Sequence, residues 1–229
     1  MPLFFYDYWY VILVVPMIIF SLIMSANVKG TYSKYKTVRN RSGITGAARR
    51  ILLENGITDV RIEVCGGELT DHYNPRTNVV SLSADVFNST SVAAVGIAAH
   101  EVGHVCQHYS GYAPIKIRNA VLPVANIGSS LSIPLIILGI FLSFKPLVMA
   151  GVIAFAAVVL FQLVTLPVEF NASSRAMKSL VSCGILSSDE TSGTRKVLSA
   201  AAMTYVAALA VSLAQLLRLI LIARSNNRD

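Results

Sequence analysis

Charge is scarce in this chain: 14% of its 229 residues are Asp, Glu, Lys or Arg, whereas 54% are hydrophobic. A soluble domain carries roughly a quarter charged residues, so the balance excludes that class and indicates a membrane protein. Cysteine is sparse as well. Cys65, Cys106 and Cys183 are an odd, widely spaced set without a CxxC pair. They supply neither a disulfide framework nor a thiolate metal site, and they point to reduced thiols in a cytosolic compartment. No Lys or Arg precedes the first apolar run. A cleaved signal peptide would need one, so this run reads as a retained anchor. The net charge of +7 comes with no base-reading motif, which sets nucleic acid aside as a partner. The apolar runs are nearly free of ionisable side chains apart from Arg218, which argues against a transporter or channel path. There is no internal repeat and no low-complexity stretch.

What is present begins with four apolar runs, at residues 8–26, 122–144, 147–166 and about 200–222. Each is close to the ~20 residues that a helix needs to cross a bilayer. Tyr8, Trp9 and Tyr10 form an interface belt at the start of the first run, and Pro16 predicts a kink in it. A tight turn at residues 143–146 makes the second and third runs a helical hairpin, and Gln215 in the fourth suits a helix–helix contact. Lys29, Lys34, Lys36, Arg39, Arg41, Arg49 and Arg50 follow the first run, with no counterpart before it. The positive-inside bias then puts the N-terminus outside and residues 29–120 and 169–199 in the cytoplasm.

Between the runs, residues 46–56 read as a short amphipathic helix closed by Gly56. Residues 60–64 and 78–83 read as strands of a small sheet, with a turn at Gly66 and Gly67. The expected fold is a mainly α integral membrane protein of about four transmembrane helices with a small cytoplasmic α+β part. Its segments are an anchor (1–28), a catalytic part (29–121), a transmembrane hairpin (122–168), a polar segment (169–199) and a last helix with its tail (200–229).

The chemistry centres on His100, Glu101 and His104, an HExxH pattern at the end of an apolar helical run for which residues 88–91 (Asn88, Ser89, Thr90 and Ser91) supply several possible N-caps. Positions four apart share one helix face, so both imidazoles can reach one ion while Glu101 stays beside them to act on a water. A chance match is expected roughly once in several hundred such chains. A surface helix with two unrelated histidines is the weaker reading, because residues 93–99 have no polar face. Zinc of this type needs a third protein ligand, and no Asp or Glu lies between Glu101 and Glu169. Glu169 stands just after the third run, where Pro167 reads as the break from the membrane. It is the favoured ligand, against a simple ion pair with Arg175 or Lys178. His108 competes only if the helix ends near Val105, since eight residues of continuous helix put it about 12 Å from His100.

The stretches Asp71 to Arg76, Ser89 to His104 and Pro167 to Ser173, with the spacing of the apolar runs, resemble the YugP-like membrane zinc metallopeptidases of bacteria, over nearly the whole chain. That family is distantly similar to the HtpX-type and CAAX-type membrane proteases. The resemblance implies a zincin-like catalytic part, one zinc ion held by His100, His104 and Glu169, and Glu101 as the base in peptide hydrolysis. It also implies a bacterial plasma-membrane location and a protein or peptide substrate. The chain departs from the family pattern at Asn74 and Asn171, where Asp is expected, and at Ser173, where the wider pattern has an Asp supporting a zinc histidine. Asn171 and Ser173 are candidate supports of the ligands, and Arg175, His72 and Tyr73 are candidate donors to the oxyanion. The strand at Val79 and Val80 reads equally as an edge for pairing with an extended substrate and as a plain core-covering strand. A zinc-binding scaffold or chaperone subunit without catalysis is the alternative class.

Overall fold

A computed structural model describes residues 8–43 and 46–225. The chain is mostly helical. After a π-helical turn at Tyr10–Val14 come α1 (Val15–Lys36), α2 (Ala47–Glu54), β1 (Arg61–Cys65), β2 (His72–Asn74), β3 (Val79–Ser83) and α3 (Ala84–Phe87). Four long helices follow: α4 (Val92–Tyr109), α5 (Ala113–Phe141), α6 (Lys145–Ser182) and α7 (Thr191–Ser225). Among the described residues, four helices are long and apolar enough to cross a membrane: Tyr10–Lys36, Ala113–Phe141, Lys145–Ser182 and Thr191–Arg224.

All four reach further than the apolar runs alone. Lys29, Lys34 and Lys36 lie on the last turns of α1, not in a following loop. Pro16 lies inside the continuous helix. It sits just past the π-helical turn, where the Val15 N–H already reaches back five residues to the Tyr10 carbonyl. The larger correction concerns Pro167, which does not break the third span. Helix α6 runs through it for 38 residues. The residues beyond the proline are held by burial at a spacing of four, with Val168, Ala172, Ala176 and Leu180 each at most 1% exposed, and that packing outweighs the missing amide.

The chain divides into two compact units. The first comprises the described residues of Met1–Ser25, Lys116–Leu166 and Thr204–Asp229. Its helices approach closely at glycines: a Cβ on Gly128 would lie 2.3 Å from the Ala154 carbonyl oxygen, and one on Gly151 2.7 Å from that of Ser132. Outward it exposes Ile127, Ile137, Phe141 and Ile153, the apolar surface that lipid covers.

The second unit comprises Ala26–Ile115 and Pro167–Met203, again as far as they are described. Its sheet has the order β1-β3-β2, with β3 parallel to β1 and antiparallel to β2. Strand β2 has no apolar alternation long enough to announce it. It is held by pairing of residues 72–74 with β3, and by Asp71, whose carboxylate accepts the Ser83 N–H at 2.8 Å. Because β3 is the central strand, Val79 and Val80 have no free edge and are buried, so the substrate-pairing reading fails and the core-covering one holds. Ile51, Leu52, Val80, Leu82, Val95, Val102, Leu180 and Ile185 form one core that ties α2, the sheet, α4 and the end of α6 together.

Candidate metal centre

Helix α4 starts where Ser91 places its Oγ 3.1 Å from the Ala94 N–H, a side-chain N-cap. It continues unbroken to Tyr109, so His108 stays a full helical stretch from His100. His108 is exposed, and its ring meets those of Tyr73 and Tyr109. Among the described residues, His100, His104 and Glu169 are the group whose donor atoms could hold a metal ion, all within 4.8 Å of one another.

Gly103 sets the distance between the two helices that supply these donors. A Cβ there would stand 2.6 Å from the Ala172 carbonyl oxygen, so only glycine lets α6 approach α4 this closely. Ala172 lies between Glu169 and Ser173, and both point at α4. Glu169 Oε2 is 3.2 Å from His100 Nε2 and 3.6 Å from His104 Nε2. Two ligand atoms on a tetrahedral zinc at ~2.05 Å are roughly 3.3 Å apart, so both Glu169 distances match that edge. The carboxylate is 3% exposed, and among the described residues no Lys or Arg pairs with it. Arg175 is not its partner: its Nε donates to Asn171 Oδ1 at 2.8 Å and its guanidinium lies over the Tyr112 ring.

A hydrogen-bonded chain fixes which nitrogen of His104 faces Glu169. Gln107 is fully buried, and its Nε2 donates to the Val168 carbonyl at 2.7 Å and to Asn171 Oδ1 at 3.0 Å. Its Oε1 therefore faces His104 Nδ1 at 3.0 Å, and as a pure acceptor it requires that nitrogen to carry the hydrogen. In the neutral ring Nε2 is then a lone pair aimed at a carboxylate. His100 is arranged likewise, with Nδ1 3.1 Å from Ser173 Oγ and Nε2 toward Glu169. His104 Nε2 and the Glu169 carboxylate, two electron-rich groups converging in a buried site, need a positive charge between them, which a metal cation or a proton can supply. The same demand acts on protons. Burial disfavours a protonated His104, but the Glu169 hydrogen bond and the Glu101 charge outweigh it and raise the His104 pKa.

Glu101 is 8% exposed and buried on α4 beside the histidines. Among the described residues its carboxylate accepts no hydrogen bond, and its oxygens are not sealed from water. The remaining candidates lie apart from the three donors. His72 Nδ1 is 2.9 Å from the Thr70 carbonyl oxygen. The Tyr73 hydroxyl donates to Asn78 Oδ1 at 3.0 Å, and burial pushes its pKa up to about 12. Asn74 Oδ1 accepts the Arg76 N–H within its own turn. Asn171 and Ser173 are both in the network, at one remove from His104 and directly on His100. Gln107 and Gly103 were not singled out by the sequence. A buried amide three residues after His104, on the same helix face, was the available sign for the first.

The family described as "Putative neutral zinc metallopeptidase" matches residues 10–224 of the chain. The chain is also 48% identical to the "Putative membrane protease YugP" of Bacillus subtilis (strain 168) over 204 residues, which cover 88% of this chain and 90% of that protein. No solved structure matches it. With four membrane-length helices, it is a multi-pass membrane protein. The convergence of His100, His104 and Glu169 agrees with the metal in the family's description, and the chain belongs to this family of zinc metallopeptidases.

Proposed function

We propose that the chain is a membrane-embedded zinc endopeptidase whose second unit is a zincin-like catalytic part on the cytoplasmic side of a bacterial plasma membrane. One zinc ion is held by His100, His104 and Glu169. The observation that carries this reading is the chain from His104 Nδ1 through Gln107 to the Val168 carbonyl, because it fixes the Nδ1 hydrogen, so that in the neutral ring Nε2 presents its lone pair on the Glu169 side. Zinc bound there lowers the pKa of a water and polarises the scissile carbonyl.

Glu101 is the general base. Its carboxylate has no competing hydrogen bond, so it is free to accept a proton from the attacking water and pass it to the amine nitrogen of the leaving peptide. Ser173 and Gln107 hold the two imidazoles in the ligating tautomer. Arg175 is the remaining candidate for stabilising the oxyanion. Its terminal nitrogens make no hydrogen bond among the described residues, whereas the Tyr73 hydroxyl is engaged by Asn78. The substrate is a peptide or an unfolded protein.

The test uses detergent-purified protein, zinc measured per chain and turnover of an unfolded substrate. Glu101→Gln keeps its zinc and loses about 10²- to 10⁴-fold in turnover. Zinc without cleavage in the unsubstituted protein would instead identify a metal-binding scaffold. Orientation rests on the basic residues from Lys29 to Arg50. In a cysteine-free background, Arg76→Cys is expected to stay unlabelled by an impermeant thiol reagent in whole cells. Labelling there would place the site outside. A companion cysteine at Pro2 falls outside the described residues.

A further inference from the structure

A second cluster of charge in the same unit has no role in the chemistry above. The C-terminal end of α1 and the N-terminal end of α7 border an open cavity of about 500 Å³. Lys34, Arg195 and Lys196 line it together with Asn27, Tyr35 and Ser199, and none of its lining residues is a carboxylate. The three cations are exposed. Among the described residues their side chains make no ion pair and no hydrogen bond; Lys34 alone has a partner, the ring of Tyr35 beneath its ammonium.

Neighbouring cations are treated differently. Lys36, two residues beyond Lys34, is paired with both Glu68 and Asp85, and Arg41 is paired with Asp189. Carboxylates are thus within reach of this region, and the cavity is left without one. Three like charges around one opening repel each other until an anion settles among them. The other donors suit an oxyanion too. Thr31 Oγ1 lies 3.5 Å from Asn27 Oδ1, which leaves the Asn27 amide N–H groups available, and the Ser199 hydroxyl is exposed.

The remaining wall indicates what carries the anion. Ala200 and Met203 line the cavity one and two turns further along α7, toward the apolar part of that helix. Both helices are of membrane length, with these cations grouped at one end of each, the level at which lipid phosphates lie. We propose that this cavity binds the phosphate of an anionic membrane lipid, with Lys34, Arg195 and Lys196 on the headgroup and the start of an acyl chain along Ala200 and Met203.

The full-length protein in detergent is titrated calorimetrically with dioctanoyl phosphatidylglycerol, dioctanoyl phosphatidylcholine and inorganic phosphate. Saturable binding of the glycerol lipid is expected, tighter than the choline lipid. Replacing all three cations (Lys34→Gln, Arg195→Gln, Lys196→Gln) should weaken it by about tenfold or more. The triple variant Arg49→Gln, Arg61→Gln, Arg76→Gln removes the same charge elsewhere on the unit and should bind like wild type. Equal weakening in both triple variants would reduce the effect to net charge and overturn the site, as would unchanged binding when the three cavity cations are gone. Inorganic phosphate binding as tightly as the lipid, and displacing it, would overturn the lipid while keeping a phosphate site. All six substituted side chains are exposed, and an unchanged unfolding temperature verifies that both variants are folded.

Discussion

Helix α6 is approached through glycine twice, with different results. In the first unit, Gly128 of α5 meets the Ala154 carbonyl and Gly151 of α6 meets that of Ser132, and the surroundings are apolar. Buried polar atoms there, such as Ser132 Oγ and Gln162 Oε1, have no hydrogen-bond partner. In the second unit, Gly103 meets the Ala172 carbonyl, and around that contact hydrogen bonds run from His104 through the buried Gln107 and on through Asn171 to Arg175. The same backbone device serves packing in one place and the alignment of donors in the other. Close approach alone makes an interface; satisfied polar neighbours make it a site with fixed tautomers.

The comparison breaks first at the donors. Glu169→Gln and His100→Ala are each expected to abolish stoichiometric zinc, read by metal analysis of purified protein, while His108→Ala retains it. Equal zinc in Glu169→Gln and wild type would remove Glu169 from the ligand set.

The two glycine contacts are separated next. Gly103→Ala forces α6 outward and displaces Glu169 and Ser173, so zinc affinity should fall steeply. Gly128→Ala, with a tighter clash, should keep wild-type zinc and cost about 1–3 kcal/mol of stability by thermal unfolding, as overpacking does. If Gly128→Ala lowered zinc as much as Gly103→Ala, the division of labour would be wrong.

Smaller effects sharpen the difference between the two histidine supports. Gln107→Leu leaves His104 Nδ1 without its acceptor and should weaken zinc by about 10- to 100-fold. Ser173→Ala removes a single hydroxyl from His100 and should cost less, measured with the same competitive chelator. The smallest effect is one of pH. Because His104 is held above the ordinary histidine range, its proton competes with the metal, and zinc loading should decline as pH falls through that raised value.

The motif, the four membrane-length runs and the approach of Glu169 to the two histidines were legible because they depend on local spacing and on where acids are missing. Residues 60–64 and 78–83 anticipated β1 and β3 to within one residue. Two features were not legible. Strand β2 is three residues long and exists only through pairing with β3, a non-local contact. The continuity of α6 past Pro167 depends on burial of Val168, Ala172, Ala176 and Leu180 against other elements, which no local propensity reports. Ser173, read from the sequence as a departure from an expected Asp and as a candidate support of a ligand, does stand 3.1 Å from His100 Nδ1 through its hydroxyl.

Gly103 carries no donor, no charge and no side chain, yet it limits how far the HExxH signature can be transplanted. A designer who grafts His100, Glu101 and His104 onto another helix and treats the residue before the second histidine as a wildcard copies two of the three converging donors and omits what lets Glu169 reach them. In this chain the pattern is better written with glycine specified at that place, because the clearance there is part of the message.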